Sequence, residues 1–506
     1  MNTLTRLFPN SKQLYITLFL FSLLLSALMN YHAVPNTDGI LYLRAAEVFT
    51  EDGFHQALTL FPWPFYSILI GLFHQITGLE FQTSATLINS VLFAGTLVLF
   101  VNLVKKLGGS LSVQILAALI IILLPPLCDY RDYIIRDLGY WPFMLLGFRA
   151  FLNYSEQRKL SDAITMGLFF SIATLFRVEG VVILLLTPCL MLCQSRDVRW
   201  CTRIRTLLPC YTVPLVLAIL WALVLLATNN MSLLGRLPEI IDAFAGIATL
   251  PLDWAIKQEQ LLSILPIHAK NDEALLILLG GFGAYFFYEI LRGLSLMGAL
   301  LFVYTLVTRS LPNTGPIRLT IGFAFINLGI ALIFLAQDFF LSQRYLMPAI
   351  LILLLATPFG LAHFLTQLPR WTQMTQRNIK IAIVVIVLYL AVDATTSFGP
   401  SPYYLRQAGE WLALHPTPQT RLLANHDVIY YYARANESNW QKLLPEDGFL
   451  WQIRSIDKLN YDYVAIRITH KEPQLNTFIQ EYPPGKLVAE FSNNREDKVL
   501  IFKTLD

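Results

Sequence analysis

Charge is what this sequence has least of. Asp, Glu, Lys and Arg make up 14% of its 506 residues and the formal net charge is +3, too little for the basic surface that nucleic acid requires. Nucleic acid is therefore excluded as a partner. Cysteine is scarce as well. Cys128, Cys189, Cys193, Cys201 and Cys210 all lie in or beside apolar runs and none falls in the hydrophilic C-terminal part, so no extracytoplasmic disulfide framework is implied. The spacing of the last four is too loose to specify zinc, and they read as buried free thiols. The C-terminal part also lacks a glycine-rich phosphate loop and a nucleophile motif.

What fills the space is apolar surface. At 55% hydrophobic residues and a mean hydropathy of +0.55, the chain carries more than a soluble domain could bury, which makes it a multi-spanning membrane protein. Arg6 and Lys12 precede a first run, Leu14 to Met29, that resembles an export signal but reads as a retained anchor because many spans follow it. Phe61-Pro-Trp-Pro-Phe65 opens a short amphipathic piece placed at the interface. Crossings are then expected over 81–104, 111–128, 138–154, 164–176, 181–193 and 207–228, followed by a long loop over 229–273. The stretch 274–307 is read as a re-entrant piece and one crossing, and the last spans are 317–336, 346–364 and 381–394. The total is about eleven crossings.

Lys105-Lys106, Arg158-Lys159, the loop with Arg196, Arg199, Arg203 and Arg205, and Arg370, Arg377 and Lys380 alternate with the runs so as to share the side of the N-terminus. The positive-inside rule makes that side cytoplasmic. Asp38, Arg136-Asp137, Arg177-Val-Glu179, His55, His268 and Arg344 then converge on the opposite face. After Ser397 the composition turns polar and aromatic, with an amphipathic helix over 404–414, strands over 421–424 and 461–468, and a closing hairpin over 487–502. The expected division is a membrane domain over 1–397 and a small extracytoplasmic α/β domain over 398–506.

Val34-Pro-Asn-Thr-Asp-Gly-Ile-Leu-Tyr-Leu-Arg-Ala-Ala-Glu47 follows the first run. Pro35 and Gly39 are read as breaking the helix and leaving Asp38 in a loop, with a new helical face from Ile40 onward. The same residues would also make an ordinary cap and turn. Charged groups at span ends on one face either cap helices or line a polar cavity, and their number favours the cavity. An outer-face site has no nucleotide sugar within reach, so group transfer there calls for a membrane-borne donor such as a polyprenyl-phosphate sugar. That chemistry needs a carboxylate to take an acceptor's proton and cations to hold the departing phosphate. A transporter or lipid flippase would also use charged span ends, but no inverted repeat supports it. A non-catalytic assembly or receptor protein leaves the Asp38 stretch unexplained.

The pattern resembles the integral-membrane glycosyltransferases of the GT-C fold, particularly protein O-mannosyltransferases and the bacterial lipid A aminoarabinose transferase. The resemblance rests on Asp38 followed by Tyr42, Ala45 and Ala46, on the Pro-aromatic helix start, on Arg136-Asp137, Arg177-Val-Glu179-Gly180 and Arg344-Tyr345-Leu-Met-Pro348, and on the soluble C-terminal part. It implies an all-α polytopic domain and transfer from a polyprenyl-phosphate sugar to a lipid, glycan or protein hydroxyl at the inner membrane of a bacterium. Asp38 matches the catalytic aspartate and Asp137 the second loop acid, while Arg344, with Tyr345 and Arg136, matches the lipid-phosphate site. Tyr42, His55, Arg177, Glu179 and His268 are supporting candidates. For Arg177 and Glu179 the alternative is an interfacial ion pair, and for the histidines mere solvation. The sequence specifies no cofactor. Carboxylates and His268 could ligate a divalent cation, but no spacing compels one. Many of these relatives carry Asp-Glu where this chain has Asp38-Gly39, and the aminoarabinose transferase has Lys-Pro where this chain has Trp63-Pro64.

Overall fold

The structure is a computed structural model, and it describes residues 8–193, 200–228, 235–265, 271–396, 401–415, 421–434, 440–442 and 461–504. The chain forms two compact units. One comprises Met1–Leu28, Ala45–Arg131 and Ile135–Thr396; the other comprises Met29–Arg44, Asp132–Ile134 and Ser397–Asp506.

The first unit is helical and apolar, and the protein is an integral membrane protein. Among the described residues, six helices are long and apolar enough to cross a bilayer: Ser11–Met29, Phe81–Lys106, Arg203–Thr228, Asp272–Val307, Gly315–Asp338 and Gln373–Thr395. A bent pair, Gln343–Leu354 and Thr357–Arg370, turns through 42° and makes a seventh if taken as one span. The bend has a local cause. Pro358 lacks the N–H that would bond the carbonyl of Leu354, and the hydroxyl of Thr357 donates to that carbonyl instead, at 2.8 Å. Shorter apolar helices cover Phe65–Thr77, Leu111–Ile122, Leu160–Phe176 and Gly180–Leu192.

Two segments differ from the sequence reading. The expected loop over 229–273 contains a helix, Leu237–Leu262, with Pro238 in its first turn and Pro251 inside it. Proline fits the first turn of a helix because its missing N–H would have no partner there, so Pro238 marks a helix start. The stretch read as a re-entrant piece and a crossing is one helical run, Asn271–Val307, interrupted at Ser295 (φ 58°, ψ 162°). His268, Arg196 and Arg199 lie outside the described residues.

The second unit is built on a five-stranded sheet of order β2-β1-β3-β5-β4. Its strands are β1 (Leu422–Ala424), β2 (Trp440–Lys442), β3 (Tyr463–Ile468), β4 (Lys486–Ser492) and β5 (Lys498–Lys503). β1 runs parallel to β2 and β3, while β5 is antiparallel to β3 and β4. Alternation along the strands makes two cores, as a pleated sheet requires. Ala465 and Ile501 face Leu405, Ala408, Leu412 and Ile429, joined by Ile40 from the 29–44 segment. Val464, Ile466, Leu500 and Phe502 face Leu475 and Ile479 on the helix Pro473–Glu481. That helix, the helix Asp427–Ala433 and β2 are additions to the sequence reading.

The β4–β5 turn is tied by one carboxylate. Asp497 accepts from the His470 backbone N–H at 2.9 Å and the Asn493 amide at 3.0 Å, and its Oδ1 lies 2.7 Å from His470 Nδ1. Burial alone would raise this carboxyl, but those hydrogen bonds and the neighbouring imidazole hold it down at about 2.

Candidate functional site

Within the membrane unit, three charges meet where helices end. Asp137 is the first residue of the helix Asp137–Gln157, Arg177 follows the helix Leu160–Phe176, and Glu179 precedes the helix Gly180–Leu186. The Arg177 guanidinium is only 5% exposed and Asp137 1%. Arg177 Nη1 pairs with Asp137 Oδ1, and Nη2 pairs with Glu179 Oε1. A cation buried to this degree persists because each arm of the fork finds a carboxylate. The helix ends can approach because Gly139 has no side chain. A Cβ there would fall 2.1 Å from the ring of Phe176, the residue just before Arg177.

Aromatic rings extend the cluster. The Arg177 guanidinium lies 4.4 Å from the Tyr345 ring centre and 6.0 Å from that of Tyr140. Arg344 lies on the same tyrosine, 5.0 Å from the ring centre, and its Nη2 donates to the Tyr345 hydroxyl at 3.1 Å. Tyr345 therefore links the two arginines. Arg136, 8% exposed, sits 5.7 Å from the centre of the Phe61 ring and acts electrostatically on Glu179. Its Nη1 and Glu179 Oε2 are buried and make no hydrogen bond among the described residues. Tyr140, Arg177, Glu179, Asn327, Phe334 and Tyr345 line a cleft of about 20 Å³, room for a water and not for a sugar phosphate.

The structure thus brings together Asp137, Arg177, Glu179, Tyr345, Arg344 and Arg136. Two polar liners escaped the sequence reading. Tyr140 stands three residues after Asp137, hence on its helix face. Asn327 is a lone amide in the apolar helix Gly315–Asp338, where it donates to its own backbone at the Phe323 carbonyl, 2.8 Å away; a polar residue inside a span was the available signal. His55 is exposed on the helix Phe54–Leu60 and is not among the cleft's liners.

Asp38 and Tyr42 belong to the other unit, and there one expectation is corrected. The helix starts at Thr37, so Asp38 stands in its first turn and not in a loop. The Asn36 carbonyl accepts from Ile40 N at 3.0 Å, and its side chain accepts the Ile134 N–H, also at 3.0 Å. A carboxylate in a first helical turn is favoured by the exposed N–H groups and the helix dipole. Gly39 is fixed by the same approach, since a Cβ would lie 2.9 Å from both Asn36 Oδ1 and Ile134 Cβ. Asp38 is half-buried and Tyr42 buried. Among the described residues, no three His, Cys, Asp or Glu side chains are grouped as a metal site.

No family model and no curated protein sequence matches the chain. Solved structures do match, and they are glycosyltransferases of the GT-C fold. The oligosaccharyltransferase AglB from Archaeoglobus fulgidus, in complex with an inhibitory peptide and a dolichol-phosphate, superposes with a TM-score of 0.55 at 12% identity. The match covers 92% of this chain and 71% of that one. The arabinofuranosyltransferase AftD from Mycobacteria gives 0.50 at 14% identity, over 98% of this chain and 42% of that one. ArnT from Cupriavidus metallidurans, bound to undecaprenyl phosphate, gives 0.44 at 11% identity over 97% of each chain, a score too low to bear on the fold. At these identities the likeness is one of architecture, and the chain has the fold of the GT-C glycosyltransferases.

Proposed function

We propose that this protein transfers a glycosyl group from a polyprenyl-phosphate sugar to the hydroxyl of a lipid, glycan or protein at the outer face of a bacterial inner membrane. The observation that carries the reading is the pair of arginines on Tyr345 beside the carboxylates of Asp137 and Glu179, in a chain of this fold. In the reaction the acceptor oxygen attacks the anomeric carbon, the bond from that carbon to the phosphate oxygen breaks, and the polyprenyl phosphate leaves with the electron pair. Asp38 takes the acceptor's proton. Arg344, Tyr345 and Arg136 hold the phosphate, with Arg177 contributing charge through Tyr345, and Asp137 and Glu179 set the position of Arg177. A planar guanidinium suits two phosphate oxygens better than a point charge does. Because the cleft is too small for the donor, binding has to open it, and the Arg177 pairs are the contacts that would rearrange. No step needs a cofactor. A divalent cation at these carboxylates would have to displace Arg177 from Asp137 or Glu179.

The reading includes about eleven crossings, a cytoplasmic N-terminus, a membrane domain over 1–397 and an extracytoplasmic domain over 398–506; the apolar runs support the count, the change in composition after Ser397 the boundary, and the charge alternation the orientation. The test is transfer of label from a polyprenyl-phosphate sugar by the purified chain. Asp38→Asn should keep donor binding while transfer falls by ~10² to 10⁴, and Arg344→Ala should weaken donor binding, with Arg344→Lys restoring only part. Labelled substrate that crosses vesicles without forming a new glycosidic bond would instead identify a transporter or flippase. Near-normal transfer by Asp38→Asn would move the base elsewhere.

A further inference from the structure

A second cavity lies at the end of the bundle where the helices Phe81–Lys106 and Asn271–Val307 finish and Gly315–Asp338 begins. Its volume is about 270 Å³ and its lining is apolar: Leu107, Phe302, Leu306, Ile321, Phe325 and Ala356 among others. Leu355 and Ala356, at the break between the two bent helices, are among its lining residues. Water has too few polar partners in such a cavity to occupy it stably.

Three cations neighbour the lining residues in sequence. Lys105 is two residues from the liner Leu107, Arg309 two from Leu311, and Arg318 adjacent to Ile317. All three are exposed, and among the described residues none has an ion-pair partner. The nearby Lys106, by contrast, is neutralised by Glu156 at 2.6 Å. Arg309 adopts a left-handed backbone conformation (φ 51°) that ends its helix beside the mouth. Apolar depth with exposed, unpaired cations next to its lining residues is the complement of one molecule class, a lipid with an acyl chain and an anionic headgroup.

We propose that this cavity binds a single anionic phospholipid, one acyl chain within the apolar space and the phosphate between Arg309 and Arg318, with Lys105 alongside. The site does not depend on the glycosyl-transfer reading and shares no residue with the Arg177 cleft. On the orientation proposed above, the lipid comes from the cytoplasmic leaflet.

The test uses the full chain, delipidated in detergent and offered dioleoylphosphatidylglycerol or dioleoylphosphatidylcholine, with retention read by native mass spectrometry and thermal stability in parallel. The wild type should retain one phosphatidylglycerol with roughly tenfold preference over phosphatidylcholine. Arg309→Ala/Arg318→Ala should hold both lipids alike, and Ala356→Phe should lose both by filling the cavity. The two arginines are exposed, so that variant folds even if the cavity variant does not. Inorganic phosphate should leave the melting temperature unchanged. Equal retention of the two lipids by wild type, an undiminished preference in the arginine variant, wild-type retention in a folded Ala356→Phe, or stabilisation by phosphate alone would each overturn the proposal.

Discussion

Replacing Arg177 by Met tests the centre of the membrane unit, because it keeps an unbranched apolar stem and removes the charge. The cost follows from burial. Asp137 is 1% exposed and would be left as an ionised group in an apolar interior, whereas the side chain of Glu179, 25% exposed, can turn toward water. Removing one partner of a buried pair costs ~3 to 5 kcal/mol. Asp137→Asn should cost less, about 1 to 3 kcal/mol, since Arg177 keeps Glu179 and the amide oxygen can still accept. The double variant Arg177→Met/Asp137→Asn carries the decisive sign: with no stranded charge it should be more stable than Arg177→Met alone, by on the order of 0.5 to 3 kcal/mol of coupling. Thermal unfolding of the four purified proteins in one detergent gives the ranking. If Arg177→Met melts with wild type, or the double variant is the least stable of the set, the ion pairs do not hold these helix ends together.

Three further outcomes are expected. Gly39→Ala should destabilise the second unit by ~1 to 3 kcal/mol by forcing Ile134 and Asn36 apart, and partial rescue by Ile134→Ala would locate the clash; unchanged protease resistance in Gly39→Ala would refute it. Asp497 has a folded-state pKa depressed from 3.8 to about 2, so its contribution is complete above the unfolded value and lost as pH falls through the folded one. Hydrogen exchange in the β4–β5 turn should therefore be slower in wild type than in Asp497→Asn above pH 3.8, with the difference vanishing toward pH 2; a pH-independent difference would point to shape alone. A reporter active only outside the cytoplasm should be active when fused after Leu414, and its inactivity would reverse the proposed orientation.

The apolar runs and the closing hairpin were legible because their signals are local: unbroken hydropathy for the spans, alternation for β4 and β5. The helix Leu237–Leu262 was not, since its two prolines dominate a local reading while one of them serves as a helix start. β2 spans only Trp440–Lys442 and has strand geometry through its pairing with β1, which no three-residue pattern announces. In the site, Asp137, Arg177, Glu179 and Arg344 stood out as charges at span ends. What the sequence leaves open is partnership. Asp137 and Arg177 are 40 residues apart, and only the fold shows that one arginine serves two carboxylates and that Tyr345 joins it to Arg344. Gly39 is the reverse case: a departure from the pattern of similar enzymes that the close approach of Ile134 explains.

The first apolar helix carries a consequence for maturation. Arg131 is 1% exposed, and its Nη1 donates to the Ser22 carbonyl at 3.0 Å, the Ser22 hydroxyl at 3.1 Å and the Ser26 hydroxyl at 3.2 Å, with the Phe93 ring 4.3 Å away. Those oxygens are neutral and belong to the helix Ser11–Met29, the segment that looks most like a disposable export signal. A peptidase that removed it would strip a buried guanidinium of these hydrogen bonds, a loss that apolar neighbours cannot make good. The leader-like segment is thus packed as a member of the bundle, and cleavage after Met29 is expected to destabilise the membrane unit.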